Sequence, residues 1–561
     1  MPEIRRHGPR LTPRGVAFSV WAPLHERLSV RLAHREVPME VQEGGWFYAE
    51  VAGEGAGTRY GFVLPDGRAL PDPASRRQPE GVHAASEVFD ASRYRWIHPF
   101  DGIRRDALVF YEVHVGTFAD RGTFAAAAQR LPDLADLGVT CVELLPVQPF
   151  PGHRNWGYDG VFPYAVHEAY GGPEELQRFV DRAHGLGLAV CLDVVYNHLG
   201  PEGNYLPAFG SWFTDRHQTP WGDGLDLDGA SSAAVRSFLV GAAEQWVRDF
   251  RVDVLRLDAV HAIQDDSARH LVGAICDAVG AVARETGRRI HVVAESDLED
   301  RKVVDPPPGG WGCSAMWSDD FHHALHAMLT GERDAFLVDF GAPEHLARTL
   351  REGFRFQGEP SAYRKKPWGT STGGLVPAQF VVGSQNHDQV GNRPHGERLA
   401  QLAPPEALPA IAAITCLAPG LPLLFMGEEY GELRPFQYFT SHGDRALAKA
   451  VTEGRRAEFI ASAGGEEVPD PQDPATFDRS RLSHRRDGWH AELRGVYREL
   501  LHTRARHAEI IGSRWPEVRR EGRAFQLAWP GALTLEVNLG PEPALGLGGW
   551  VWWVREGASA R

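Results

Sequence analysis

The sequence predicts an α/β protein built on a parallel (β/α)8 barrel, with a β-sandwich before it and a small antiparallel β-domain after it. Three observations predict this. Short β-branched and aromatic runs split by Gly, Pro, Asp and Glu clusters fill the first 92 residues, the pattern of a sandwich. Eight apolar strand candidates then alternate with amphipathic helical stretches, the pattern of a barrel with an outer ring of helices. After residue 512 the runs AFQLAWP, LTLEVNL and GWVWWVRE return to strand character. The expected division is therefore 1–92, 93–512 and 513–561. A length of 561 residues and 43% hydrophobic content suit a multidomain globular chain.

Element by element, VAFSVWAP, LSVRLA, WFYAEV and RYGFVL supply the sandwich strands. The barrel strands are LVFYEVHVGTF, VTCVELLPV, LAVCLDVVYNH, VDVLRLDAV, IHVVAES, AMWSDDF, QFVVGSQNHD and LPLLFMGEE. Between them Leu176, Phe179, Val180 and Ala183 keep helical spacing behind Pro173. Val235, Phe238, Leu239, Ala242 and Trp246 repeat the pattern, as do Leu271, Ile275, Val279 and Val282 before Gly287. The excursion after the third strand, about 199–229, is short. Residues 362–374 read as an exposed loop. A doubly wound open sheet is the rival architecture.

Charge and composition exclude several classes. With 59 basic against 74 acidic residues the net charge is −15, unsuited to nucleic acid or an anionic membrane surface. The most apolar window, 410–426, is broken by Pro419, Gly420 and Pro422 and reads as helix, turn and strand. The first residues lack an apolar leader core. Five cysteines without CxxC spacing suggest buried thiols, no zinc site and a cytoplasmic location. Gly369–Gly373 matches G-x-S-x-G but lacks the strand-to-helix context that motif needs. Adjacent histidines His322 and His323 point different ways on a regular element and make a poor metal site. No metal or cofactor is expected.

A barrel carries its chemistry at the C-terminal ends of its strands. There the third strand offers Asp193, Asn197 and His198, the fourth Arg256, Asp258 and His261, the fifth Glu295, and the seventh Asn386, His387 and Asp388. Arg256 and Asp258 are two apart and share the axial face. The arginine is expected to hold Asp258 ionised, as a nucleophile requires. The apolar run before Glu295 is expected to raise its carboxyl toward a working acid. Carboxyls of unequal pKa are what glycosidic cleavage needs.

DVVYNH, RLDAVH, AES and QNHD resemble the four ordered signature segments of the α-amylase family of glycoside hydrolases. The resemblance implies a retaining mechanism, with Asp258 as nucleophile, Glu295 as acid/base and Asp388 as the carboxylate that holds sugar hydroxyls. It implies that Arg256 fixes the nucleophile and that His198 and His387 bond the donor ring. Tyr158 would be that ring's platform, with Trp156 and Asp159 nearby. The segments DVVYNHLGPEGNYL, MWSDDFHHALH, SQNHDQVGNR and FMGEEYGE are most similar to members that cleave the α-1,4 bond beside the terminal trehalose of maltooligosyltrehalose. In that case Asp319, Asp320, Phe321 and His322 line the acceptor side. The alternatives are a 1,4-α-glucan branching enzyme, with the same carboxylates and a sugar acceptor, and a non-catalytic glucan-binding protein.

Overall fold

The computed structural model describes residues 7–459 and 467–557. Eight parallel strands close into a TIM barrel. They are β1 (Phe110–Val113), β2 (Cys141–Leu144), β3 (Ala189–Val194), β4 (Val254–Leu257), β5 (His291–Ala294), β6 (Ala315–Trp317), β7 (Phe380–Gly383) and β8 (Leu421–Phe425). Phe110 of β1 pairs with Leu423 of β8, so the sheet has no edge and the open-sheet rival falls.

Period-2 alternation sorts each strand onto two buried faces, which is why these runs are apolar throughout. Phe110, Cys141, Ala189, Cys191, Val254, Val293, Val381 and Leu421 fill the barrel axis. Tyr111, Val113, Val142, Leu144, Val190 and Leu192 face the helices. The axial face changes character toward the C-terminal end. Two residues beyond the apolar axial layer come Glu112, Glu143, Asp193 and Arg256, each almost fully buried. The barrel thus stacks a charged layer on an apolar one.

The helices follow the predicted periodicity. Gly172–His184 (α1) carries Pro173 in its first turn and buries Leu176, Phe179, Val180 and Ala183. Ser232–Asp249 (α2) and Leu271–Thr286 (α3) follow, the latter stopped by Gly287 at φ 73°, a left-handed cap that suits glycine. Asp319–Thr330 (α4) starts at the rim of the barrel. Residues 408–416 are helical and lead through a turn into β8. Among the described residues no helix is long and apolar enough to cross a membrane.

Two antiparallel sheets precede the barrel and enclose a core that includes Phe18, Phe47, Tyr60 and Phe62. A four-stranded antiparallel sheet follows helix Gly488–Ser513, and its inner residues Phe525, Leu527, Leu535 and Val537 join the barrel's main core. One expectation is corrected. Residues 362–374 are not simply a loop, because Glu359–Ser361 and Lys366–Trp368 form a hairpin. The Trp368 indole donates to the Asp297 carbonyl at 3.0 Å and the Arg364 guanidinium lies 3.9 Å over its ring, so an aromatic residue rather than sequence periodicity holds this segment down.

Candidate active site

Arg256 organises the charged layer. Its side chain is fully buried, and Nη1 donates to Asp193 Oδ2 at 2.6 Å and to Asp258 Oδ1 at 2.9 Å. Its Nη2 pairs with Glu295 Oε2 at 2.9 Å. The face of the guanidinium lies 4.5 Å from the Trp317 ring. One cation thus holds three carboxyls from three successive strand ends, in the geometry that only a forked, planar donor provides. Glu295 Oε2 also accepts the Ala259 amide at 2.6 Å. Ala259 has φ 38°, a strained conformation for a residue with a Cβ, and it turns that amide toward the acid.

A second chain of bonds meets the first. Glu112 Oε1 accepts from His387 Nδ1 at 2.6 Å, His387 Nε2 lies 2.7 Å from the Tyr158 hydroxyl, and that hydroxyl donates to Asp193 Oδ2 at 2.6 Å. Burial opposes charge on His387, but Asp388 and Glu112 outweigh it and push its pKa up to about 10. The ring is therefore an imidazolium that donates from both nitrogens. It stacks on Tyr158 at 15°, which orients the phenol face.

The two expected carboxyls titrate differently from a surface acid. Burial raises Glu295; Arg256 opposes the rise, while Asp258 and Asp388 add to it. This is the direction expected. For Asp258 the direction of the shift is opposite to the one Arg256 alone would give. Burial pushes it up to about 6, because Arg256 offsets only part of the lost hydration and Asp193 and Asp388 add like charge. Asp258 is still mostly ionised at neutral pH.

The cleft above this layer has two lobes, of about 1190 and 620 Å³. Both are lined by Glu295 and Asp388, so the lobes meet at the carboxyls. Trp156, Tyr158, Asp159, His198, Asp258 and His261 line the larger lobe. Asp319, Asp320, His322 and Asn386 line the smaller. Asp193, Arg256 and His387 lie beneath the surface and position what lines it. Trp156 is largely buried, its indole donating to the Gln437 carbonyl at 2.9 Å. His198 Nε2 donates to the Tyr158 carbonyl at 3.0 Å, and its Nδ1 is buried without a hydrogen-bond partner.

Phe321 is a correction. It is 1% exposed and packs in the main core rather than in the acceptor lobe. The helix begun at Asp319 turns position 321 inward, and the apolar wall there comes from Phe336, Phe340, Phe356 and Tyr363 instead. Sequence reasoning missed these residues because 335–340 and 354–368 carry no periodic signal. It also missed Glu112, although an acid inside the wholly buried strand FYEV was a legible one.

Asp319 gives a test of this electrostatic arrangement. Burial, reinforced by Glu295, Asp388 and Asp320, raises it from 3.8 to about 8. The folded state holds a proton that the unfolded state releases, so stability falls as pH rises from about 4 through about 8. Asp319→Asn does not titrate. Its melting temperature relative to the parent is expected to rise across that window, with the added gain absent below pH 4. A difference independent of pH would refute the raised carboxyl.

The similarities to known proteins agree with this geometry. The family model described as alpha amylase, catalytic domain, matches residues 87–218. Malto-oligosyltrehalose trehalohydrolase of Saccharolobus solfataricus is 43% identical over 551 residues, covering 95% of each chain. The trehalohydrolase of Rhizobium sp. strain M-11 is 43% identical, over 94% of this chain and 91% of its own. A branching enzyme, GlgB 2 of Xanthomonas campestris, is 28% identical over 74% of this chain and 60% of its own. Among solved structures, a Salmonella typhimurium protein assigned to the alpha amylases superposes with a TM-score of 0.91 at 41% identity, covering 98% of this chain and 99% of its own. A pullulanase of Anoxybacillus sp. shares the fold at TM-score 0.69 and 18% identity, over 98% of this chain and 85% of its own. By near full-length similarity the chain belongs to the malto-oligosyltrehalose trehalohydrolases, glycoside hydrolases of the alpha-amylase family.

Proposed function

We propose that this chain hydrolyses the α-1,4-glucosidic bond beside the terminal trehalose of maltooligosyltrehalose, with retention, and releases free trehalose. The observation that carries the reading is the pairing of Asp258 and Glu295 with opposite ends of one guanidinium, at the point where two lobes of the cleft meet. Retention needs the two carboxyls about 5 Å apart, and a shared guanidinium keeps them close. The donor glucan occupies the larger lobe, with a ring on Tyr158 and its hydroxyls on His198 and Asp388. The trehalose end occupies the smaller lobe, against Asp319, Asp320 and His322.

Asp258 attacks the anomeric carbon as Glu295 gives its proton to the departing glycosidic oxygen. A glycosyl ester forms on Asp258 and the trehalose unit leaves. Glu295, now ionised, takes a proton from water as that water attacks the anomeric carbon, and the bond to Asp258 breaks. Both groups return to their starting protonation. None of these steps calls for a metal or cofactor. No disulfide joins the five cysteines, although the Cys276 and Cys313 sulfurs approach to 3.7 Å, and free thiols support a reducing, cytoplasmic setting.

The test is product analysis on maltopentaosyltrehalose, maltoheptaose and amylose. Trehalose plus maltopentaose is expected, with attack on the plain glucans at least about tenfold slower, since buried polar groups left without their hydroxyl partners discriminate strongly. New α-1,6 branches in amylose without trehalose would replace this reading by the branching reaction, in which a sugar hydroxyl takes the place of water.

A further inference from the structure

The excursion between β3 and α2 ties the N-terminal sandwich to the cleft. Within it the short helix Leu206–Phe209 presents Phe209, which is fully buried. Phe209 does not join the barrel core. It sits among Phe18, Phe47, Tyr60 and Phe62 of the sandwich and meets the Phe62 ring edge-on at 84°, 6.2 Å between centroids. Two polar ties flank it. His25 Nε2 donates to the Ala208 carbonyl at 2.7 Å, and His83 Nδ1 lies 2.7 Å from the Tyr205 hydroxyl.

The residues that follow the anchor at once, Gly210 to Phe213, line the larger lobe. Gly210 lies so close to the Trp21 indole of the sandwich that a Cβ would stand 2.7 Å from it. Trp212 meets the same indole edge-on at 5.1 Å. The chain then forms the hairpin Phe213–Thr219 and Gly222–Leu225. Trp221, near its tip, is half exposed and stacks on His198 at 4.4 Å, 7° from parallel. A two-stranded hairpin is marginally stable by itself, so its place is set by what ties it down: its base against the sandwich, the Gln264 amide on the Gln218 carbonyl at 2.8 Å, and Trp221 on His198. The carboxyls stand on barrel strands and do not depend on that base.

We propose that the sandwich is a socket for Phe209 and, through it, positions the outer wall of the larger lobe, so that it sets how tightly long donor chains are held. This rests on the larger lobe's being the donor side, as read above. A short donor bound at Tyr158 and His198 ends near the carboxyls, whereas a longer one runs out along the wall. Phe209 is a positioning residue, since it lies in the sandwich core away from the cleft.

The experiment compares Phe209→Ala, Phe209→Leu and the parent on maltosyltrehalose and maltopentaosyltrehalose. For Phe209→Ala the KM of the longer substrate is expected to rise about tenfold, equivalent to about 1.4 kcal/mol of lost binding. Both kcat values are expected to hold, the KM of the shorter substrate is expected to rise far less, since its donor meets the hairpin only through His198 beneath Trp221, and Phe209→Leu should restore most of the loss. Amides of 211–225 should exchange hydrogen faster in Phe209→Ala while those of β3 and β4 do not. Equal losses on both substrates, or a faster-exchanging hairpin with an unchanged long-substrate KM, would overturn the proposal. Should Phe209→Ala not fold, Phe62→Leu loosens the socket from the sandwich side and is read by the same ratio. If even the parent releases no trehalose, the function proposed above is what fails, and the ratio is read on linear maltooligosaccharides of matching lengths.

Discussion

Asp258→Asn is expected to lower kcat roughly ten-thousand-fold or more, about 5 kcal/mol of transition-state stabilisation, with the fold intact. The amide keeps the shape of the carboxyl and can still accept the Arg256 Nη1 bond that the carboxylate accepts at 2.9 Å. What it loses is nucleophilicity. Stability should not fall in parallel. The parent Asp258 has a folded pKa raised to about 6, so its contribution is greatest at low pH and is lost as pH rises through that value. A non-titrating amide escapes this loss, which tends to offset the missing ion pair at neutral pH. Glu295→Gln should show a different defect. A substrate with a fluoride leaving group, such as an α-maltosyl fluoride, needs no proton for departure. It should restore the first step in Glu295→Gln and leave Asp258→Asn inactive. Turnover of such a fluoride by Asp258→Asn within tenfold of the parent would sink the nucleophile assignment.

The second large effect concerns stability. Arg256→Met is expected to destabilise the protein by about 3–5 kcal/mol at pH 8, the range for a buried charge group deprived of its partner. Three carboxyls converge on this guanidinium, and its own side chain has no exposure. Without it, protonation of Asp193, Asp258 and Glu295 is the route to neutrality, so their pKa values rise further. The loss should therefore be largest at alkaline pH and shrink as pH falls toward about 5. Arg256→Lys should recover only part of it, because an ammonium cannot set two nitrogens against three carboxyls or stack on Trp317 in the same way. Chemical denaturation across pH reads both variants. A loss that grows toward acid would contradict the arrangement.

Much of the barrel was legible because its strands and helices obey local rules. The strands are short, buried on both faces and bounded by turns, and α1 and α3 carry their own start and stop signals in Pro173 and Gly287. The charged groups at the strand ends were legible for the same reason, since alternation alone places Arg256 and Asp258 on one face. Phe321 misled because its neighbours in the MWSDDFHH segment do line the cleft. A helix places adjacent residues about 100° apart, and which of them meets the cavity depends on how α4 docks.

By itself, then, the sequence determined the alternation of strands and helices, the parity of the axial residues and the identity of the carboxyls brought to one end. These follow from periods of 2 and 3.6, which are local properties of the chain. Only the tertiary structure decided that burial outweighs Arg256 at Asp258, that His387 is held as a cation between Glu112 and Asp388, and that Phe209 leaves the barrel for the sandwich. Each of these depends on the balance of hydration lost and partners gained among residues far apart in the chain, and that balance exists only once the fold has brought them together.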